Sequence, residues 1–154
     1  MLAVFVIFFI EVMNSQTTPT HPGELFQLPM PMAGAYALQG LEIGGMRAKV
    51  LMPYAPAFTN SRGEVHGGSL SVLFDCALAS ACRAHDPNVY GVVTLDLTVH
   101  FLAPGKGDVI ATAVCERRGR AMCFARGEIH DTQGQLLALA TGTFKLVERQ
   151  KPAA

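Results

Sequence analysis

The chain has 154 residues, half of them apolar and only 16% charged, with a formal net charge of zero. That length suits one domain with a real core, while the charge fraction, against about 25% in an average soluble domain, leaves little polar surface, so a second copy of the chain is expected to cover some apolar area. The sequence has no Lys/Arg block, and phosphate-backbone binding needs clustered cations, so nucleic acid is not an expected partner.

The first ten residues, M-L-A-V-F-V-I-F-F-I, are all apolar. No Lys or Arg precedes Arg47 and Glu11 follows at once, unlike a secretion signal with its basic start. A membrane span needs about 20 apolar residues, so no stable span is expected. The favoured reading is a short helix over Met1–Met13, ending near Asn14, in a cytoplasmic protein, with a secretion signal as the alternative. Ser15 to Pro31 is rich in Pro, Thr and Gly and reads as a connector with one short extended piece at Glu24–Leu28. Tyr36–Ile43 and Met46–Met52 flank Gly44-Gly45, which reads as a hairpin about a two-residue turn. Pro53–Gly63 is a loop.

The period then changes. Leu70, Leu73, Phe74, Ala77, Leu78 and Ala81 recur along one face of an α-helix, which stops near His85-Asp86 with Pro87 beyond. From Val92 to Leu102 the pattern alternates, with Leu95, Leu97, Val99 and Phe101 on one face and Thr94, Asp96, Thr98 and His100 on the other. Further strands are expected at Asp108–Arg117, Arg120–His130 and Gln135–Val147, with a turn at Asp131-Thr132-Gln133-Gly134. The expectation is an α+β domain, one long central helix wrapped by a curved antiparallel sheet of about five to six strands. Its expected bounds are 33–148, after an N-terminal helix and connector over 1–32 and before a tail over 149–154.

The cysteines, Cys76, Cys82, Cys115 and Cys123, form no C-x-x-C pair and read as buried thiols in a reducing compartment. Cys82 and His85 could share a helix face, but two ligands do not make a zinc site, and no metal is expected.

The chemistry concentrates at N-S-R-G-E-V-H-G-G-S-L-S-V-L-F-D, Asn60 to Asp75. The first N–H groups of a helix have no intrahelical partner and sit at the positive end of its dipole. Gly67 and Gly68 would let a substrate carbonyl approach them, and one oxyanion donor is worth about 10²–10³ in rate. Asp75 falls on the helix flank, where a carboxylate could deprotonate a water or attack an acyl carbon. The plainer readings are a solvated Asp and a Gly-Gly pair that only shapes a tight helix start.

The stretch G-E-V-H-G-G-S-L-S-V-L-F-D-C-A resembles the G-x-V-H-G-G-x-x-x-x-L-x-D segment of the hotdog-fold acyl-CoA thioesterases, in particular the PaaI-like (phenylacetic-acid-degradation) branch of the 4-hydroxybenzoyl-CoA thioesterase superfamily. T-L-D-L-T-V-H-F-L-A-P is similar to the strand after the family's helix, and G-R-A-M-C-F-A-R-G-E-I-H-D-T-Q-G-Q-L-L-A-L-A-T-G-T-F to its closing hairpin. The resemblance implies a hotdog fold and hydrolysis of an aryl- or medium-chain acyl-CoA to a carboxylic acid and CoA, with no cofactor. It makes Asp75 the general base or nucleophile and the Gly67 N–H the carbonyl donor. Asn60 and His66 would bind the thioester, and Thr94 would hold the water. It also implies a homodimer or dimer of dimers, with Asp75 of one chain facing Asn60, His66 and Gly67 of another.

Asn60 could instead only shape its loop, Thr94 could be a plain strand residue, and Asp96 is a rival acid. His100 and His130 read as ordinary strand positions. Gly68 and Phe74 would contact substrate, with Met52 and Phe58 as further candidates for the acyl pocket. Lys106, Arg62, Arg117, Arg118 and Arg120 are candidates for the CoA phosphates. A non-catalytic acyl-CoA-binding hotdog protein and a hotdog hydratase or dehydratase are the alternatives.

Overall fold

A computed structural model describes residues 23–149. The helix expected over Met1–Met13, the connector before residue 23 and the tail from residue 150 lie outside the described residues.

The described chain opens with a small hairpin, β1 (Glu24–Leu25) and β2 (Leu28–Pro29), where a single extended piece was expected. A short helix, Pro31–Ala35, follows and was not foreseen. Pro31 stands in its first turn, where the missing N–H costs nothing. Its five residues are too few to show a 3.6 period, which is why the connector reading passed over it.

The main sheet is built from β3 (Gln39–Gly44), β4 (Arg47–Met52), β5 (Tyr90–Phe101), β6 (Val109–Arg118), β7 (Met122–Asp131) and β8 (Leu136–Glu148). Its spatial order is β3-β4-β6-β7-β8-β5, antiparallel throughout. The hairpin about the glycines is present, but Gly44 pairs with Arg47, so the turn is Gly45-Met46 and not Gly44-Gly45. Gly45 and Met46 have φ of +53° and +65°, the left-handed pair of a tight hairpin. Glycine takes that conformation freely, and Met46 takes it at some cost.

The central helix, Gly67–Arg83, has 17 residues, about 25 Å of axis. It carries the chain from β4 to β5 at the far edge of the sheet, packing on β4 through β8. Leu70, Leu73, Phe74, Ala77, Leu78 and Ala81 are all buried, as the sequence pattern required. Gly127 on β7 lets the helix sit close, since a Cβ there would stand 2.8 Å from Leu78 Cδ1.

Burial extends beyond that stripe: Cys82 packs on the sheet beside Cys115 and Cys123, while Cys76 and Arg83 are covered by residues 25–33. The Cys76 thiol meets Met30 Sδ at 3.6 Å. Arg83 donates from Nη2 to Leu25 O and from Nη1 to Pro87 O, both at 2.9 Å. Burial pulls its pKa down to about 10, so the guanidinium stays charged at neutral pH. The negative end of the helix dipole lies beside it. Among the described residues no buried side-chain polar atom lacks a partner, and no helix is long and apolar enough to cross a membrane.

One expectation about β5 is overturned. A bulge between Thr94 and Asp96 breaks the alternation, because one extra residue, Leu95, resets which face each side chain takes. Thr94 pairs with Phe144 and Leu97 with Gly142, so Thr94 shares the helix side with Leu97, Val99 and Phe101. Asp96, Thr98 and His100 take the opposite face.

Candidate active site

The loop before the helix is tied by its own side chains. Asn60 Oδ1 accepts from the N–H groups of Arg62 (2.8 Å) and Glu64 (3.2 Å), and Asn60 Nδ2 donates to Glu64 Oε2 at 3.0 Å. Arg62 donates to the same Oε2 from Nε at 2.8 Å and reaches it with Nη2 at 2.6 Å. The Arg62 hydrogen bond, then that of Asn60, hold the Glu64 carboxyl below the usual carboxylate range. A Thr59–Val65 bridge closes the loop, and the His66 N–H bonds Phe58 O at 2.8 Å. Glu64 escaped the sequence reading. Its signal was the N-x-x-x-E spacing between two residues that must come together at a helix start.

His66 is the residue that caps the helix. Its Nδ1 accepts the Gly68 N–H at 2.9 Å. A neutral imidazole that accepts at Nδ1 carries its proton on Nε2, which leaves Nε2–H as an exposed donor. Gly68 is needed for that cap, since a Cβ there would lie 3.0 Å from His66 Nδ1. The Gly67 N–H, first of the helix, finds no acceptor among the described residues. A Cβ on Gly67 would stand 3.2 Å from Phe101 Cζ, so the glycine lets the end of β5 press against the helix start. A cavity of about 430 Å³ opens here, lined by Asn60, Arg62, Glu64, Gly67, Leu70 and Phe101 among others.

A second cluster lies along the same helix. Thr94 Oγ1 donates to Asp75 Oδ1 at 2.6 Å, a contact that the bulge at Leu95 makes available. Asp75 is half-buried and Thr94 exposed. Asp75 comes eight positions after Gly67, about 12 Å along the helix axis, and neither Asp75 nor Thr94 lines the cavity. One chain therefore brings together Asn60, Glu64, His66 and Gly67, and separately Asp75 and Thr94.

Phe74 is fully buried against the sheet and does not line the cavity. Asp96 pairs with Thr143 on the outer face, away from Asp75, and His130 Nε2 lies 3.8 Å from Glu128. Of the candidate cations, Arg62 borders the cavity and Lys106 is near enough to Glu64 to stabilise its charge. Arg118 stacks 5.5 Å over Tyr90, which packs on His85 past the other end of the helix, so Arg117, Arg118 and Arg120 belong to the end remote from Gly67.

Residues 62–138 match the family model described as the thioesterase superfamily. A Halobacterium salinarum relative named as an esterase is 32% identical over 114 residues, 67% of this chain and 74% of that protein. The Escherichia coli medium/long-chain acyl-CoA thioesterase YigI is 25% identical over 138 residues, 79% of this chain and 89% of its own. Among solved structures, the Escherichia coli PaaI protein of the phenylacetic acid degradation operon superposes with a TM-score of 0.70 at 27% identity, covering 76% of this chain and 84% of that one.

Proposed function

Since this chain belongs to the thioesterase superfamily and is a thioester hydrolase, we propose that it cleaves an acyl-CoA of the aryl or medium-chain class across a site shared by two subunits. Water and R–CO–S–CoA give a carboxylic acid and free CoA. Two relatives bear on the substrate: YigI is named for medium- and long-chain acyl-CoAs, and PaaI comes from a phenylacetic acid operon.

One observation carries the reading: a hydroxyl-oriented carboxylate and an unpartnered helix-start N–H lie about 12 Å apart on one helix. Neither can serve the other within a chain. β5 explains how they meet. It is an edge strand of 12 residues, an open ladder ready to pair. Thr94 on β5 touches Asp75, and Phe101 on β5 touches Gly67. Antiparallel pairing of two β5 strands, centred on Thr98, sets Thr94 opposite Phe101 of a second copy, because the bulge at Leu95 takes up one residue. Each Asp75 then faces the Gly67 end of the other subunit, and two sites form about one dyad.

In such a site the Gly67 N–H and the helix dipole hold the thioester carbonyl as its charge develops. His66 Nε2–H lies close enough to the helix start to donate to the same group or to the leaving sulfur. Thr94 occupies one lone pair of Asp75, leaving the other oxygen to take a proton from water or to attack the carbon itself. Arg62 and Lys106 are the cations placed to meet CoA phosphates.

Free-thiol release from a panel of aryl, short, medium and long acyl-CoAs tests this reading. Turnover is expected with aryl or medium-chain members, with kcat/KM falling for the shortest. Absence of turnover on every acyl-CoA would overturn it.

A further inference from the structure

Three of the four cysteines converge at the C-terminal end of the central helix, remote from the cavity. Cys82 comes from the last helical turn, Cys115 from β6 beside its bulge, and Cys123 from the start of β7. Their sulfur atoms all lie within 4.8 Å of one another, and all three thiols are free and buried. Thioester hydrolysis uses none of them. The pairing of Cys82 with His85 considered from sequence gives way to this triad, drawn from three elements far apart in the chain.

The geometry suits a three-coordinate centre. A metal–sulfur bond of about 2.3 Å places three sulfurs roughly 3.5–4 Å apart around a shared atom, inside the observed spread. Structural zinc asks for a fourth ligand, and the neighbouring buried residues of this core, such as Leu78 and Ala81, offer none. The surroundings also select by charge. The three sulfurs sit in the apolar core of the domain. Three thiolates leave a net charge of minus two around a monovalent ion and minus one around a divalent ion. Around a trivalent centre they leave none, and an apolar core penalises any uncompensated charge.

We propose that Cys82, Cys115 and Cys123 form a binding site for a trivalent thiophilic metalloid of the arsenite class, held as a neutral three-coordinate trithiolate. The exchange balances without oxidant or base. Arsenous acid, As(OH)₃, meets three S–H groups. Three As–S bonds form as three As–O and three S–H bonds break, three waters leave, and arsenic stays trivalent. The three sulfurs are buried, so binding requires the β6–β7 ladder to open near the bulge at Glu116, and it is slow. The occupied site ties the helix end to two strands and stabilises the folded state.

The test takes the reduced full chain, adds sodium arsenite, and records arsenic-edge X-ray absorption, intact mass and Tm. The expected result is one arsenic per chain with three hydrogens lost, three sulfur neighbours, no oxygen neighbour and a raised Tm. Cys76→Ser keeps that signature, and Cys115→Ala weakens binding at least tenfold. An arsenic that retains oxygen neighbours, no bound arsenic, or Cys115→Ala binding as tightly as wild type would overturn the site. Because Cys115→Ala also disturbs packing, the wild-type absorption spectrum decides by itself, and either outcome leaves the thioesterase reading intact.

Discussion

Asp75→Asn is expected to lower acyl-CoA hydrolysis by about 10²–10⁴-fold, the usual worth of a positioned general base, while Tm stays within a few degrees of wild type. Asparagine has the shape of the carboxylate, and its Oδ1 can still accept the Thr94 hydroxyl that now lies 2.6 Å from Asp75 Oδ1. The local hydrogen bond survives; the basicity does not. Asp75 is half-buried on the helix flank, outside the stripe of Leu70, Leu73, Phe74 and Ala77 that packs on the sheet, so little core packing is at stake. The loss is the same in kind whether Asp75 acts through water or attacks directly, because the amide can do neither. Steady-state thiol release and thermal melts of both proteins check it. Full activity in Asp75→Asn would remove Asp75 from the chemistry.

Thr98→Lys is expected to give a monomer that has lost at least about 10²–10³-fold in hydrolysis, the worth of one oxyanion donor. Thr98 is exposed on the edge strand and lies on the proposed dyad. A lysine there costs the single subunit little. Across the dyad it meets its own copy, and like charges directly opposite one another on paired strands repel. Natural edge strands use lysine in this way to avoid pairing. The edge also exposes Leu95 and Phe101, at 53% and 54%, apolar surface that a second copy would cover. Light scattering and thiol release, measured on one sample, report mass and activity together. A Thr98→Lys monomer with wild-type activity would show that one chain holds a complete site.

Much of the fold was legible because helix and strand periods are strong signals over long segments. The stripe from Leu70 to Ala81 is buried in full, and the four long strands after the helix stand where alternation put them. What escaped has local causes. The bulge at Leu95 adds one residue to β5, and an unbroken alternation cannot reveal an insertion that reverses the faces beyond it. Thr94 thus looked like an outward residue when read by periodicity, although it bonds Asp75. The hairpin turn fell one residue late because Met46 accepts a left-handed φ that favours glycine.

The covering of the helix by residues 25–33 was hidden in a stretch read only as a connector, and with it the reason that Cys76 and Arg83 are buried. At the candidate site, His66 and the glycines were legible because a helix start has fixed chemical needs. The capping bond from Gly68 to His66 Nδ1 and the Asn60–Glu64–Arg62 network needed coordinates, since loop side chains follow no period.

The split site is tested most directly by mixing two disabled chains. Asp75→Asn removes the carboxylate. Gly67→Pro removes the helix-start N–H, and proline is at home in a first helical position; the extended φ and ψ of His66, −67° and 140°, suit the residue before a proline. Each protein alone should be nearly inactive. After subunit exchange, confirmed by native mass spectrometry, half-and-half dimers carry one site with both lesions and one with neither, and acyl-CoA hydrolysis should return. A mixture that exchanges fully yet stays as inactive as its components would contradict a catalytic site built from Asp75 of one subunit and Gly67 of another.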